Sequence, residues 1–299
     1  MLGYYGVKAA SWLLCRLPKK VCEAVASGLG GLALWGCPAW RLKMAAANIE
    51  ECLQVDAVAA RKIAEESMRR FGRMVVEVLR FPLLNEQNID ELVHVEGLEN
   101  IERAYAEGKG IVMVTGHFGN WELLGAAVAL HGYPLLSVAR QQNQQDMDRF
   151  INEYREMVGQ KITYNRGRGS LLSIVRQLKL NQVVGLIYDQ DTSDSGVELR
   201  LFGKDCHVPD GAAVLSRMNG APIVPMFIHN NADGSLRVKV YTPMYCEGKD
   251  DYVRVMRELV SILEQEVRED PAMWFWVHDR WKDGRKRFDF KYRRQHHLN

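Results

Sequence analysis

The stretch "VTGHFGNWELLG", residues 114–125, decides how the rest of the chain is read. Val112 to Val114 look like the end of a buried strand, and the run from Leu123 onward looks like a helix. His117 therefore stands on a strand-to-helix turn between Gly116 and Gly119, with Glu122 five residues later. Loops held by a rigid scaffold carry most functional groups, so this turn is the first place to look for chemistry. With Asn120 as N-cap, Glu122 falls in the first helical turn, where the helix dipole favours a carboxylate. On one continuous helix, residues five apart point about 140° from each other. A turn before the helix removes that obstacle, and the pattern predicts that His117 and Glu122 meet.

Outward from this turn, apolar runs and helical spacings alternate. Strands are predicted at 111–115, 134–139, 183–188, 222–229 and 236–241. Helices are predicted at 121–131, 142–158, 169–180, 210–219 and 250–268, with Asp210 and Gly220 as caps of the fourth. Short apolar strands alternating with helices give an α/β fold with a mostly parallel or mixed sheet flanked by helices. Ligands of such sheets bind beyond the carboxyl ends of the strands, and His117 lies just past one such end. Upstream, Asp56 is placed to cap a helix reaching to about Phe81, with Met68, Phe71, Val75 and Val78 as a core stripe.

The N-terminus differs from ordinary globular sequence. Between Val21 and Trp40 only Glu23 is charged, while Lys19, Lys20, Arg41 and Lys43 flank the run. Its length is near the ~20 residues that cross a bilayer, but it is rich in Gly and Ala. We read residues 1–45 as a membrane-associating helical segment and 46–299 as the α/β domain, with a helical lead-in over 46–92. The net charge of +2 gives no argument for nucleic acid, although both chain ends are basic, which suits an anionic membrane surface. The six cysteines show no CxxC spacing, which fits reduced thiols better than a disulfide framework or a zinc knuckle.

The chemistry of the turn is that of a proton acceptor. A His oriented by a carboxylate is a general base for a hydroxyl. No G-x-S-x-G occurs, so the attacking hydroxyl belongs to a substrate. No metal site is expected: H-E-x-x-H is absent, and "DQDTSDSG" from Asp189 lacks the Gly and the final Glu of a calcium loop. A metal-dependent glycosyltransferase using the DxD pair Asp189 and Asp191 on a lipid acceptor is the alternative, and it leaves His117 without a role.

Four blocks in order carry a resemblance to a known family. "GHFGNWE" from Gly116 is similar to the H-x4-D/E block of the lysophospholipid acyltransferase superfamily. "YDQD" from Tyr188 departs from the P-E-G-T-R type block of its glycerol-phosphate branch. "APIVPMF" from Ala221 resembles the later proline-flanked strand, and "WFWVHDRW" from Trp274 resembles the C-terminal segment of the lipid A group. The chain thus resembles the lipid A biosynthesis acyltransferases over nearly its whole length.

That resemblance implies an O-acyltransferase with no cofactor beyond its co-substrate, an acyl-carrier-protein or CoA thioester. It implies a lipid A precursor or related glycolipid as acceptor, at the cytoplasmic face of a bacterial inner membrane. His117 and Glu122 are the implied catalytic pair. Arg140, Arg166 and Arg168 are expected at acceptor anions, Asp189 and Asp191 at sugar hydroxyls or orienting an arginine, and Asn120 at another substrate group. Backbone amides near Gly119 and Asn120 are candidate oxyanion donors. Trp274, Phe275 and Trp276 are read as core, with Trp281 near the site.

Overall fold

The computed structural model describes residues 2–141, 144–164, 167–192, 196–231 and 235–281. Four helices lead in: α1 (Leu2–Leu14), α2 (Lys19–Gly36), α3 (Ala39–Leu53) and α4 (Ala57–Leu79). A short helix α5 (Ile89–Leu92), strand β1 (Val93–Glu96) and α6 (Leu98–Ala106) follow. The chain then alternates through β2 (Ile111–Thr115), α7 (Trp121–Leu130), β3 (Leu135–Ala139), α8 (Gln145–Met157), β4 (Gln160–Tyr164), α9 (Gly167–Lys179) and β5 (Val183–Ile187). A hairpin of β6 (Val197–Leu201) and β7 (Lys204–Val208) precedes α10 (Gly211–Asn219), β8 (Ile223–Asn230), β9 (Leu236–Val240) and α11 (Lys249–Glu269).

Seven strands form one mixed sheet in the order β1-β9-β8-β2-β5-β3-β4. β8, β2, β5, β3 and β4 run parallel, whereas β9 is antiparallel to β8 and β1 is parallel to β9. All five residues of β2 are buried, as expected of a parallel strand covered on both faces. Its alternation is visible in the packing. Val112 and Val114 join one core, and Ile111 and Met113 the other. From β2 the chain moves to β3 on one side, and from β5 it crosses to β8 on the other. This reversal of strand order opens a crevice at the carboxyl end of β2.

All five strands predicted from apolar runs are present. β1, β4, β6 and β7 were not predicted, because their sequences (VHVE, QKITY, VELRL and KDCHV) interrupt the apolar pattern with polar residues. Asp56 caps α4, its side chain accepting from the amide of Ala59 at 2.8 Å. The stripe on α4 is shifted from the expected one: Val75 is exposed, and Ala60, Ala64, Met68, Gly72 and Val76 are buried. The early residues of α4 pack in one core and the late residues in the other, so this helix bridges both faces of the sheet.

The small residues of the N-terminal run have a packing role. Cys22, Ala26 and Gly30 form the buried face of α2 against α4. A Cβ on Gly72 would lie 2.5 Å from the Cα of Gly30, so the two helices cross almost backbone to backbone. Among the described residues no single helix is long and apolar enough to cross a membrane; α2 and α3 pass that test only as a pair bent by 98°. The expected boundary at residue 45 falls inside α3, where Ala45 is fully buried.

Helix α11 is pinned to the sheet by a buried carboxylate. Glu266, fully buried, pairs with His229 of β8, with the ammonium of Lys239 at 2.9 Å and with the hydroxyl of Tyr241. Burial alone raises a carboxyl pKa, but these bonds, His229 first, hold Glu266 down at about 2. A folded-state pKa below the unfolded value of about 4.3 gives stability that is complete above that value. It is lost as pH falls toward 2. Denaturant titrations should show the fold weakening through this window, by on the order of 3 kcal/mol from this group. Glu266→Gln should flatten the acid limb while lowering stability at neutral pH.

Candidate active site

The carboxyl end of β2 leads into Gly116 and His117, and the turn is held from two sides. On one side it bonds to the C-terminal segment. The Gly119 amide donates to the Met273 carbonyl at 2.8 Å, and the Phe275 amide donates to the His117 carbonyl at 2.9 Å. Gly119 has φ +58°, and a Cβ there would sit 2.4 Å from the Ile228 carbonyl oxygen, so glycine is required. Its amide is committed to Met273 and cannot also serve as the expected oxyanion donor. Asn120 caps α7 by accepting from Leu123 at 2.9 Å and donates its amide to Glu77 at 2.7 Å. It is almost completely buried, so its role is architectural rather than the expected substrate contact.

On the other side, β5 delivers Asp189. One carboxylate oxygen meets Nδ1 of His117 at 2.7 Å, and the other accepts from the His117 backbone amide at 2.9 Å. That second oxygen also accepts from Trp274 Nε1 at 2.8 Å and Arg280 Nη2 at 2.6 Å, while Arg280 Nε donates to the Asp189 carbonyl at 2.6 Å. Burial by itself raises the Asp189 pKa; the Arg280 guanidinium, and then His117, outweigh it and hold the carboxyl well below its usual range. An ionised carboxylate only accepts, so Nδ1 of His117 carries the proton and a neutral imidazole presents an unprotonated Nε2. That nitrogen faces the side-chain amide of Gln190 at 3.1 Å.

The expected His117–Glu122 contact is absent. Glu122 instead makes a two-pronged ion pair with Arg155 of α8, at 2.6 and 2.7 Å. Burial opposes the charge of Arg155, and Glu122 more than compensates and raises its pKa. The helix begins at Trp121, so the Glu122 side chain leaves toward the neighbouring helix while the edge of the Trp121 ring packs on His117 at 4.9 Å. Asp189 is not a surface group for substrate hydroxyls: both oxygens are engaged by protein donors, which also leaves them unsuited to hold a metal-bound nucleotide sugar. Asp191, two residues beyond the His117 partner, lines a small cavity with Arg280 and His207.

Arg140 is exposed at the carboxyl end of β3. β3 and His117's strand are separated only by β5, so Arg140 stands two strand spacings, about 10 Å, along the same edge. Arg166 and the side chain of Arg168 lie outside the described residues. Trp274 and Trp276 are buried and packed edge to face, as expected of core, whereas Phe275 is only half-buried; Trp281, expected near the site, is buried against Trp274, which itself reaches Asp189.

Two residues escaped sequence reasoning. Arg280 sits inside "WFWVHDRW" yet looks like any basic residue opening a basic tail; only its place between Trp276 and Trp281 hints at burial. Arg155 lies in the polar stretch of α8, with no local signal for its partner 33 residues away. Arg280→Met should destabilise the fold by about 3–5 kcal/mol, because it leaves a buried charge unpaired. Arg280→Lys should recover only part, since an ammonium cannot bond both the carbonyl and the carboxylate of Asp189 in the guanidinium's geometry. Chemical denaturation of the two variants against the parent measures both.

Comparison with known proteins adds the family. The bacterial lipid A biosynthesis acyltransferase profile matches residues 1–283. The chain is 28% identical over 284 residues to the lipid A biosynthesis palmitoleoyltransferase of Escherichia coli K12, covering 94% of this chain and 91% of that protein. It is 28% identical over 281 residues to the phosphatidylinositol mannoside acyltransferase of Mycobacterium tuberculosis H37Rv, covering 91% and 87%. The E. coli K12 lipid A biosynthesis lauroyltransferase is 26% identical over 275 residues, covering 91% and 88%. With four sequence blocks, the parallel-sheet crevice and a profile match over nearly its whole length, the chain belongs to the bacterial lipid A biosynthesis acyltransferase family.

Proposed function

We propose that this acyltransferase moves a fatty acyl group from an acyl-carrier-protein or CoA thioester to a hydroxyl of a lipid A precursor or a related glycolipid. The observation that carries the reading is His117, whose Nδ1 proton is held by ionised Asp189 while Nε2 points outward at the sheet's carboxyl edge. In this mechanism Nε2 takes the proton of the acceptor hydroxyl as its oxygen attacks the thioester carbonyl. The C–O bond forms, the C–S bond breaks, and the imidazolium returns its proton to the departing thiolate. Asp189 steadies the imidazolium without accepting its proton, since Arg280 and Trp274 keep the carboxylate ionised. General-base catalysis of this kind contributes roughly 10²–10⁴-fold. Arg140, exposed on the same edge, is placed to meet an acidic group of the acceptor.

Glu122 supports the site by a different route: its ion pair with Arg155 locks α7, whose first turn carries Trp121, to α8. No protein donor besides Arg155 meets its carboxylate among the described residues, and none is His117.

The reading places the chain on a membrane surface through α1–α3. These helices leave Tyr5, Trp12, Leu13, Leu32, Trp35 and Trp40 exposed, Trp35 by 86%. Arg16 stacks on Trp12 at 3.8 Å and Arg41 lies over Trp40 at 5.2 Å. Aromatic rings beside basic side chains suit the headgroup layer of an anionic leaflet, and bent, Gly-rich helices suit lying in the interface.

Mass spectrometry of lipid products, after incubation of the purified protein with acyl thioesters and candidate acceptors, tests the function. His117→Ala should abolish transfer, and Asp189→Asn should lower it by about 10²–10⁴-fold by releasing the wrong tautomer. Glu122→Gln and Arg155→Gln should lower activity non-additively, because each removes the same ion pair. Wild-type turnover in folded His117→Ala protein would sink the mechanism. For the membrane face, Trp12→Ser, Trp35→Ser and Trp40→Ser together should cut partitioning onto anionic vesicles roughly tenfold or more. Unchanged sedimentation with vesicles would remove α1–α3 from that role.

A further inference from the structure

The outward nitrogen of His117 already holds a partner, the side-chain nitrogen of Gln190 at 3.1 Å. With Nδ1 carrying the ring proton toward Asp189, Nε2 can only accept. Gln190 therefore turns an N–H toward the ring and not its carbonyl. This bond occupies the lone pair that the mechanism above assigns to the acceptor hydroxyl. A hydroxyl oxygen at hydrogen-bond length from that lone pair, about 2.8 Å, stands where the carboxamide nitrogen now is. The acceptor cannot reach the base until Gln190 yields the place.

The side chain is built to yield while its main chain stays fixed. Gln190 is exposed, and among the described residues the bond to His117 is the one hydrogen bond its side chain makes. The residue before it is Asp189, whose carbonyl accepts from Arg280 Nε at 2.6 Å and whose carboxylate is held by Arg280 and Trp274. The carboxamide thus pivots about an anchored backbone and remains beside the imidazole after it lets go.

The reaction calls for a donor in that position. When a hydroxyl attacks a thioester, negative charge gathers on the acyl oxygen, which is bonded to the same carbon as the attacking oxygen. Much of the polar surroundings is committed elsewhere. The His117 amide donates to Asp189 at 2.9 Å, and the Gly119 amide to Met273 at 2.8 Å. The Asn120 side chain is engaged with Leu123 and Glu77, and the guanidinium of Arg280 is buried against Asp189. Gln190 is the exposed side-chain donor in bonding contact with the base.

We propose that Gln190 is a catalytic residue, which cedes Nε2 to the acceptor hydroxyl and turns its N–H onto the acyl oxygen of the thioester. The inference rests on the acyl-thioester reading above. As the C–O bond forms, His117 takes the hydroxyl proton and the carbonyl π pair moves onto the acyl oxygen, where the carboxamide bonds it. That pair returns as the C–S bond breaks, and the imidazolium gives its proton to the thiolate. Gln190 neither gains nor loses a proton, so a neutral amide suffices.

Steady-state kinetics of full-length protein, Gln190→Ala and Gln190→Glu, with acyl-CoA and the carrier-protein thioester as donors, test this role. Alanine removes the carboxamide, and glutamate keeps its length but loses both N–H donors. Each should lower kcat roughly 10²-fold or more with either donor. Acceptor KM in Gln190→Ala should stay level or fall, since nothing then has to be displaced from Nε2. Nitrogen-15 NMR should still find the His117 proton on Nδ1 in Gln190→Ala. Retained kcat in either variant would overturn the proposal and leave Gln190 a placeholder, or an acceptor contact if acceptor KM rises. A His117 proton moved to Nε2 in Gln190→Ala would equally overturn it, because the loss would then act through the ring. If the unaltered protein consumes neither thioester, the acyl-transfer reading itself fails, an outcome distinct from the others.

Discussion

A single buried carboxylate joins the parts of this protein that matter for its chemistry. Asp189 leaves the end of β5 and collects four donors: the backbone amide and Nδ1 of His117, the indole of Trp274 and the guanidinium of Arg280. These come from the β2 turn and from the C-terminal segment, which are far apart in sequence and share no secondary structure. A fully buried carboxylate without such partners would be protonated or would not be buried at all. With them it is ionised, the His117 tautomer follows, and the outward nitrogen of the ring is left as the acceptor of a proton. Arg280 in turn is buried only because Asp189 and the carbonyls of Asp189, Phe275 and His278 satisfy it. Neither member of the pair is stable in that place without the other.

The scaffold explains why this convergence happens at one edge. The reversal of strand order at β2 leaves its carboxyl end flanked by β5 on one side and β8 on the other. β5 contributes the carboxylate. β8 contributes Ile228, against which Gly119 packs too closely for any side chain, and His229, on which Phe118 rests edge-on at 5.0 Å. His229 is hydrogen-bonded to Glu266, so the turn is braced from behind by a second buried pair. Helix α4 closes the edge: Ser67 bonds the Trp274 carbonyl at 2.5 Å and Glu77 bonds Asn120. A catalytic group on a loop acquires the positional precision of the sheet through these ties.

Much of this was legible in the sequence, and what was not has identifiable causes. β2 and β8 announced themselves because their residues are apolar on both faces, whereas β9 (LRVKV) showed only alternation. β4 and the β6–β7 hairpin did not announce themselves, since an edge strand or a detached hairpin alternates polar and apolar residues in short runs that any loop imitates. His117 was legible from its glycines and its place after a strand. Its carboxylate was not. Proximity in sequence favoured Glu122, five residues away, over Asp189, 72 residues away, yet parallel strands bring the ends of β2 and β5 together while the start of α7 turns Glu122 toward Arg155. Long-range pairing of this kind leaves no periodic trace. The Gly-rich N-terminal run was read through its length and apolarity. Gly30 instead serves the close crossing of α2 and α4, and the exposed aromatic residues of the run remain the feature that suits a lipid surface.

The central claim is that Asp189 fixes the proton of His117 on Nδ1. Nitrogen-15 NMR of the histidine side chains, assigned with His117→Gln, reads this directly at a pH where the imidazole is neutral. The account predicts that Nδ1 of His117 carries the proton, in a strong hydrogen bond that Asp189→Asn abolishes and Glu122→Gln leaves in place. A neutral His117 protonated on Nε2, or a bond lost in Glu122→Gln but kept in Asp189→Asn, would contradict it.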